Sequence, residues 1–223
     1  MRVVVTRERG HNRELVSWVP EDASISEVPL TTTRYLDSHE VRDTLHASRN
    51  FGRFRALVVT SARSALYVAL AREALAPGGT VLSVGTATAR ALENEDVDVD
   101  VVGDTGVVDL DVEIAEGPVL LLGAAAMREE LATTLANRDV VVEKLTCYET
   151  IPAVLTPEEE IELREADVVF IGAPSAWLVA RSYLDARTWI VVPGSTTASA
   201  VGRHYERVIV GWGPALKGQL LAL

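Results

Sequence analysis

The chain has 223 residues, 48% of them hydrophobic, enough to bury the core of one large domain or two small ones. Its longest apolar run, Pro118 to Met127, falls far short of a bilayer span, and Arg7 interrupts the first apolar run too early for a secretory signal, so a cytoplasmic, non-membrane protein is expected. A net charge of −11 with no basic cluster argues against nucleic acid, one cysteine excludes an intrachain disulfide, and four scattered histidines suggest no metal centre.

In chain order, Val3 to Arg7 reads as an apolar strand, and Asn12 to Val19 has helical spacing with Leu15, Trp18 and Val19 on one side. A second strand covers Ile25 to Leu30, Thr31 to Thr33 is a possible crossing, and Asp37 to Ala47 is a polar helix. The middle section continues as strand Leu57 to Ser61, helix Ser64 to Leu75, strand Val81 to Gly85, helix Ala87 to Asn94 and strand Val97 to Val102. Val107, Val108, Leu110 and Ile114 suggest a short helix within Gly103 to Gly117. Then come strand Val119 to Leu122, helix Met127 to Ala136 and strand Val140 to Val142.

Leu145 to Pro152 follows, a β-prone stretch that Pro152 bars from continuing as a central strand. Thr156-Pro157 before Glu158 to Glu160 is a helix start, with Pro at the first position and acids at the positive end of the helix dipole. The remaining elements are strand Val168 to Gly172, helix Pro174 to Leu184, strand Trp189 to Val192, helix Thr196 to Tyr205, strand Val208 to Val210 and a last helix from Pro214. Apolar strands alternating with helices predict an α/β fold with parallel sheets covered on both faces.

The chain also repeats itself. Gly85-Thr86-Ala87-Thr88-Ala89 corresponds to Gly194-Ser195-Thr196-Thr197-Ala198, Leu57 to Ala65 corresponds to Val168 to Ala176, and Val3 to Leu30 lies on Val119 to Leu145 and its neighbour. This circular permutation predicts two similar lobes: residues 1–32 with 152–223, and residues 36–146, with crossings near 31–35 and 146–152. Such crossings form a narrow hinge, which places Tyr148 at the mouth of the cleft between the lobes and makes it the first candidate for chemistry.

In open parallel sheets, ligands bind beyond the carboxyl ends of the strands. Those ends read Thr6-Arg7-Glu8, Thr60-Ser61, Gly85-Thr86, Gly123-Ala124, Gly172-Ala173 and Gly194-Ser195. Glycine and hydroxyl residues at helix starts suit an anion, and Arg7 can hold a carboxylate with two parallel hydrogen bonds. At any one position the simpler reading is a helix cap, a surface ion pair for Arg7, or a packed aromatic for Tyr148. No dinucleotide fingerprint, phosphate loop or nucleophile elbow is present, so no cofactor is implied.

Taken together, Val4-Val-Thr-Arg-Glu8, Val58-Val-Thr-Ser-Ala62, Val84-Gly-Thr-Ala-Thr-Ala89, Cys147-Tyr-Glu-Thr-Ile-Pro152 and Gly194-Ser-Thr-Thr-Ala198 resemble uroporphyrinogen-III synthase over nearly the whole chain. The resemblance implies two flavodoxin-like α/β lobes joined by a two-stranded connection. It also implies a cofactor-free reaction in which linear hydroxymethylbilane loses water and closes with its last pyrrole inverted. Tyr148 matches the family's tyrosine in the connecting segment, whose phenol assists departure of the hydroxyl. Thr60, Ser61, Thr88, Thr196 and Thr197 match positions lining the cleft, Thr86 lies in the same turn as Thr88, and Arg7 follows the first strand.

Where the family usually has Thr-Ser-Pro-Ser, this chain has Ile171-Gly172-Ala173-Pro174-Ser175, which leaves Ser175 as the donor, and Gly211-Trp212-Gly213 is atypical. The substrate is the expected partner, and a monomer is expected. The alternative reading is a non-catalytic, synthase-like module that binds tetrapyrroles or regulates.

Overall fold

The computed structural model describes residues 1–47, 52–103, 117–127 and 129–223. In chain order, the first elements are β1 (Arg2–Val5), α1 (Arg13–Ser17), β2 (Ser24–Glu27), β3 (Thr31–Tyr35), α2 (Ser38–Ala47) and β4 (Phe54–Val59). A broken helical segment follows, containing α3 (Val68–Ala71), and then β5 (Leu75–Val84), α4 (Thr86–Glu93), β6 (Val101–Gly103), β7 (Val119–Ala124), α5 (Glu130–Ala136) and β8 (Val142–Pro152). The chain closes with α6 (Pro157–Arg164), β9 (Val168–Phe170), α7 (Pro174–Ala180), β10 (Trp189–Val192), α8 (Ser195–Gly202), β11 (Val208–Val210) and α9 (Leu216–Leu220). The short helix expected around Val107 to Ile114 lies outside the described residues.

The chain divides into two compact units, one of Met1–Thr32 with Ile151–Leu223 and one of Thr33–Thr150. In the first, five strands run in the order β11-β10-β9-β1-β2, and every pairing is parallel. β-Branched side chains fill both faces. Val4, Val169, Ile190 and Val192 pack on one side with Leu163 of α6, Trp177 of α7 and Val201 of α8. Val3, Val5, Phe170 and Val191 pack on the other with Leu15 of α1 and Leu216 and Leu220 of α9. Burial on both faces is why these strands read as unbroken apolar runs rather than as alternating ones.

The second unit has six strands in the order β3-β8-β7-β4-β5-β6. Leu57, Val59, Leu120 and Leu122 face α2, α3 and α4, whereas Ala56, Val58, Val119 and Leu121 face Leu131 and Leu135 of α5. With β5 matched to β10, β4 to β9, β6 to β11, β7 to β1 and β8 to β2, the two sheets have the same strand order, and β3 is the extra edge strand. The circular permutation read from the sequence is therefore present in the sheet order.

Two elements differ from the sequence expectation. The span Ser64 to Leu75 is not one helix: it runs as 3-10 turns at Ala62–Tyr67, one α-turn at Val68–Ala71 and another 3-10 turn at Arg72–Ala74. Tertiary ties break the regular ladder. The Tyr67 hydroxyl donates to Leu36 O at 2.6 Å, and Leu75 already pairs with Phe54 as the start of β5, well before the expected Val81. The strand expected at Val140 to Val142 instead begins at Val142 and runs to Pro152, so the opening of the crossing stretch is sheet. Pro152 is its last residue, where no further ladder donor is needed.

At the crossings, Leu36 N–H donates to Cys147 O and Ala153 N–H donates to Leu30 O, both at 3.0 Å. The residue numbers run in opposite senses, as between antiparallel strands.

Candidate functional site

The carboxyl edge of the six-stranded sheet is built from the ends of β4, β5, β7 and β8. At the end of β4, both the N–H and the hydroxyl of Thr60 donate to Leu122 O at 2.9 Å. Its proton is thereby committed to the neighbouring strand, and its hydroxyl oxygen remains free only to accept. Ser61 Oγ accepts from Arg63 N–H at 3.3 Å and caps the helical segment that follows.

At the end of β5, Gly85 is the N-cap of α4 with φ +82, and no side chain caps the helix. Thr86 is exposed at the first helical position, while Thr88 is buried. Gly85 N–H donates to Gly103 O at 2.9 Å and Thr88 N–H to Gly85 O at 3.1 Å, which leaves the Thr86 and Ala87 amides of this first turn for an anion.

Tyr148 owes its position to an irregularity in β8. Gly123 pairs with Thr146 but Ala124 pairs with Tyr148, so one residue is added between them, the strand bends, and the alternation of faces is broken. As a result Cys147 and Tyr148 both reach the core cluster of Leu57, Val59 and Leu122. Ala125 N–H donates to Tyr148 O at 2.8 Å and holds the bend. The Tyr148 ring is 7% exposed, lies 6.3 Å from the Tyr35 ring, and has the Arg63 guanidinium carbon 5.8 Å from its centroid. Among the described residues no group hydrogen-bonds its hydroxyl.

The Arg63–Tyr148 pair brings a cation over the face of this phenol ring. Neither Arg63 nor Tyr35 follows from the sequence reading. The only local signal for Arg63 is its place two residues after Ser61. Nearby, burial raises the Tyr67 phenol above its usual range, with Cys147, Tyr35 and Asp37 adding to the shift. Burial likewise pushes the Cys147 thiol up to about 11, against opposing contributions from Ser64 and the Gly123 backbone.

The carboxyl edge of the five-stranded sheet carries the remaining candidates. Arg7 follows β1, is exposed, and makes no ion pair among the described residues. Neighbouring Thr6 is buried and donates its hydroxyl to Phe170 O, which ties β1 to β9. Ser175 is exposed at the second position of α7, where Pro174 leads the helix and Ala173 supplies no side-chain cap. Gly194 is the uncapped N-cap of α8, with Thr196 exposed and Thr197 buried. The paired turns of the sequence repeat therefore share one arrangement: a glycine N-cap, an exposed hydroxyl-bearing residue within the first two helical positions, and a buried threonine in the first turn.

Arg7, Ser175 and Thr196 share one sheet edge, and Thr60, Thr86 and Tyr148 share another. Trp212 also belongs to the Arg7 edge. A cavity of about 720 Å³ lined by Trp177, Arg181, His204, Tyr205 and Arg207 includes none of the predicted site residues in its lining. Among the described residues no group of three His, Cys, Asp or Glu side chains is placed to hold a metal ion. No helix among them is long and apolar enough to cross a membrane.

The family model for uroporphyrinogen-III synthase HemD matches residues 21–210. No curated protein matches the chain. Its fold is similar to uroporphyrinogen-III synthetase from Helicobacter pylori 26695, with a TM-score of 0.64 at 18% identity over 100% of this chain and 99% of that one. It is also similar to a mutant uroporphyrinogen III synthase from the extremely thermophilic bacterium Thermus thermophilus, with a TM-score of 0.59 at 18% identity over 100% and 96% of the two chains. At such identity the structural likeness speaks for the fold, and the family model carries the family.

Proposed function

Because the chain belongs to the uroporphyrinogen-III synthase family, cyclising lyases of tetrapyrrole biosynthesis, we propose that it closes hydroxymethylbilane to uroporphyrinogen III with Tyr148 as the proton donor. The observation that carries this assignment is the buried Tyr148 ring with the Arg63 guanidinium over its face. The phenol gives its proton to the departing hydroxyl, which leaves as water, and the bilane becomes an azafulvenium cation facing the phenolate. The cation's methylene carbon bonds to the substituted α-carbon of the last pyrrole, the bond from that carbon to its original methylene bridge then breaks, and the freed methylene bonds to the pyrrole's unsubstituted α-carbon, whose proton restores the phenol. Atoms and charge balance without a cofactor.

Closure without inversion proceeds unaided, so control of the chain's conformation contributes more than acid strength. The substrate's eight carboxylates need donors. The uncapped first turns of α4 and α8 supply amide N–H groups, the exposed Thr86, Thr196 and Ser175 supply hydroxyls, and Arg7 supplies a charged fork. Thr60 and Ser61 support this edge from behind, one tying β4 to β7 and the other capping the segment that carries Arg63. Thr88 and Thr197 set the first turns of their helices from the buried side.

We further infer that the chain acts in the cytoplasm as a monomer; sedimentation at micromolar concentration checks the second point. For the function, purified protein given hydroxymethylbilane should yield the type III isomer faster than spontaneous closure. Type I isomer alone, formed at the spontaneous rate, counts against the assignment. Tight ligand binding with no turnover would turn the reading toward a binding module.

A further inference from the structure

Beyond the strand ends already considered, the carboxyl edge of the five-stranded sheet carries an aromatic residue that no motif assigns. Trp212 follows β11 between Gly211, with φ +111, and Gly213, with φ +156. Side chains rarely adopt either conformation, so the two glycines permit a bend that other residues resist. Gly211 N–H donates to Val192 O at 2.8 Å, which anchors the bend to β10. The indole reaches across to the end of β9, where its ring lies 6.4 Å from the Phe170 ring at 46°.

The indole also reaches Gly172. A Cβ at this position would stand 3.4 Å from Trp212 Cη2 and 3.9 Å from Arg7 Cγ. The indole and the arginine stem therefore meet over one bare backbone position. Trp212 is half-buried, and its Nε1 is buried without an acceptor, so the polar edge of the ring faces inward. Arg7 extends to solvent with no ion pair among the described residues. A flat apolar ring beside an unpaired guanidinium recognises a flat ring that bears a carboxylate.

We propose that Trp212 and Arg7, meeting over Gly172, form a binding subsite for one carboxylate-bearing pyrrole of the substrate. The indole supports the ring and Arg7 takes its carboxylate. A Cβ at 172 would make only ordinary van der Waals contact with the ring and the arginine stem, so a side chain longer than alanine there would meet the space in which the ligand sits. The glycine at 172 and the tryptophan at 212 are in this way one coupled feature. The choice of a pyrrole rests on the proposed function; the stacking and charge geometry does not.

The test compares Trp212→Leu, which keeps apolar packing on Phe170, with Trp212→Tyr, which keeps a flat ring. Two readouts are used: steady-state turnover of hydroxymethylbilane, and equilibrium binding of uroporphyrin, a stable octacarboxylate, by fluorescence. The leucine variant should raise KM and weaken uroporphyrin binding about tenfold with kcat within about twofold, while the tyrosine variant stays within about threefold of wild type. Gly172→Ser should weaken binding in the wild-type background, but by less than about twofold in the Trp212→Leu background.

Equal behaviour of the leucine and tyrosine variants, or effects of Gly172→Ser that simply multiply with those of Trp212→Leu, overturns the subsite. If either position-212 variant fails to fold, Arg7→Gln and Gly172→Ser on the intact chain carry the test: each should weaken uroporphyrin binding at least fivefold, and unchanged binding in either overturns it. A wild-type protein that forms no type III isomer, yet whose uroporphyrin binding depends on Trp212 as stated, rejects the proposed function and keeps the subsite.

Discussion

Thr60 lies directly over the Cα of Gly123, with its hydroxyl donating to Leu122 O at 2.9 Å; a Cβ at 123 would overlap the Thr60 hydroxyl and stand only 2.6 Å from Met127 Sδ. Two strands thus approach at a position that admits no side chain. Gly123→Ala should destabilise the chain by about 1–3 kcal/mol, the usual cost of forcing a methyl group into packed surroundings. Urea unfolding of variant and wild type checks this, and an unchanged midpoint would show that Thr60 and Met127 move aside at no cost.

Tyr148→Phe keeps the ring, its packing against Tyr35 and its place under Arg63, and removes the phenolic hydroxyl with its proton. Turnover should fall by about tenfold to a hundredfold, with KM within about twofold, because a group acting in the transition state contributes to kcat rather than to ground-state binding. Full turnover in this variant would remove Tyr148 from the proton transfer.

The threonines of the α8 turn separate by exposure. Thr196→Ala deletes an exposed hydroxyl and should raise KM about fivefold, the equivalent of one hydrogen bond of ~1 kcal/mol, without shifting the thermal midpoint. Thr197→Val alters a residue only 4% exposed and should weaken binding or turnover by a similar ~1 kcal/mol. Wild-type kinetics for Thr197→Val would leave that residue a part of the helix start alone.

Cys147 ties stability to alkaline pH. Its folded thiol titrates at about 11, against 9.0 for an unperturbed thiol, chiefly because burial disfavours the thiolate. The folded state therefore holds this proton more tightly than the unfolded state. The resulting stabilisation is fully present below pH 9 and is lost as pH rises through about 11, a change of roughly 2–3 kcal/mol. Cys147→Ala should show a shallower loss of stability between pH 9 and 11 in denaturant titrations. The raised Tyr67 phenol keeps part of the decline in place.

Net charge acts at longer range. At −11 the chain repels an octaanionic substrate, so KM should fall as salt rises from low to physiological levels, where screening shortens the repulsion. A KM that rises steadily over that range would show instead that the local ion pairing of Arg7 and the helix starts dominates.

The class of the fold was legible in the apolar pattern of the chain, because a strand buried on both faces must be apolar at consecutive positions, as in Val3 to Val5 and Val119 to Leu122. The paired turns at Gly85 and Gly194 were legible as well, from one Gly-x-x-Thr-Ala pattern recurring after two strands; only Gly85, with φ +82, needs glycine for its backbone, because Gly194 is extended. The break in the segment Ser64 to Leu75 was not legible. Its apolar spacing is helical, and only the contacts of Tyr67 with Leu36 and of Leu75 with Phe54 override that preference.

Tertiary contacts set the surroundings of each candidate side chain. Whether Thr60 can still give its proton depends on the register of β4 against β7. Whether Tyr148 turns into the core depends on one added residue in β8, and whether Trp212 reaches Gly172 depends on two backbone bends. Such contacts join residues far apart in the chain, and their geometry is set by strand register and loop conformation, which residue spacing does not encode.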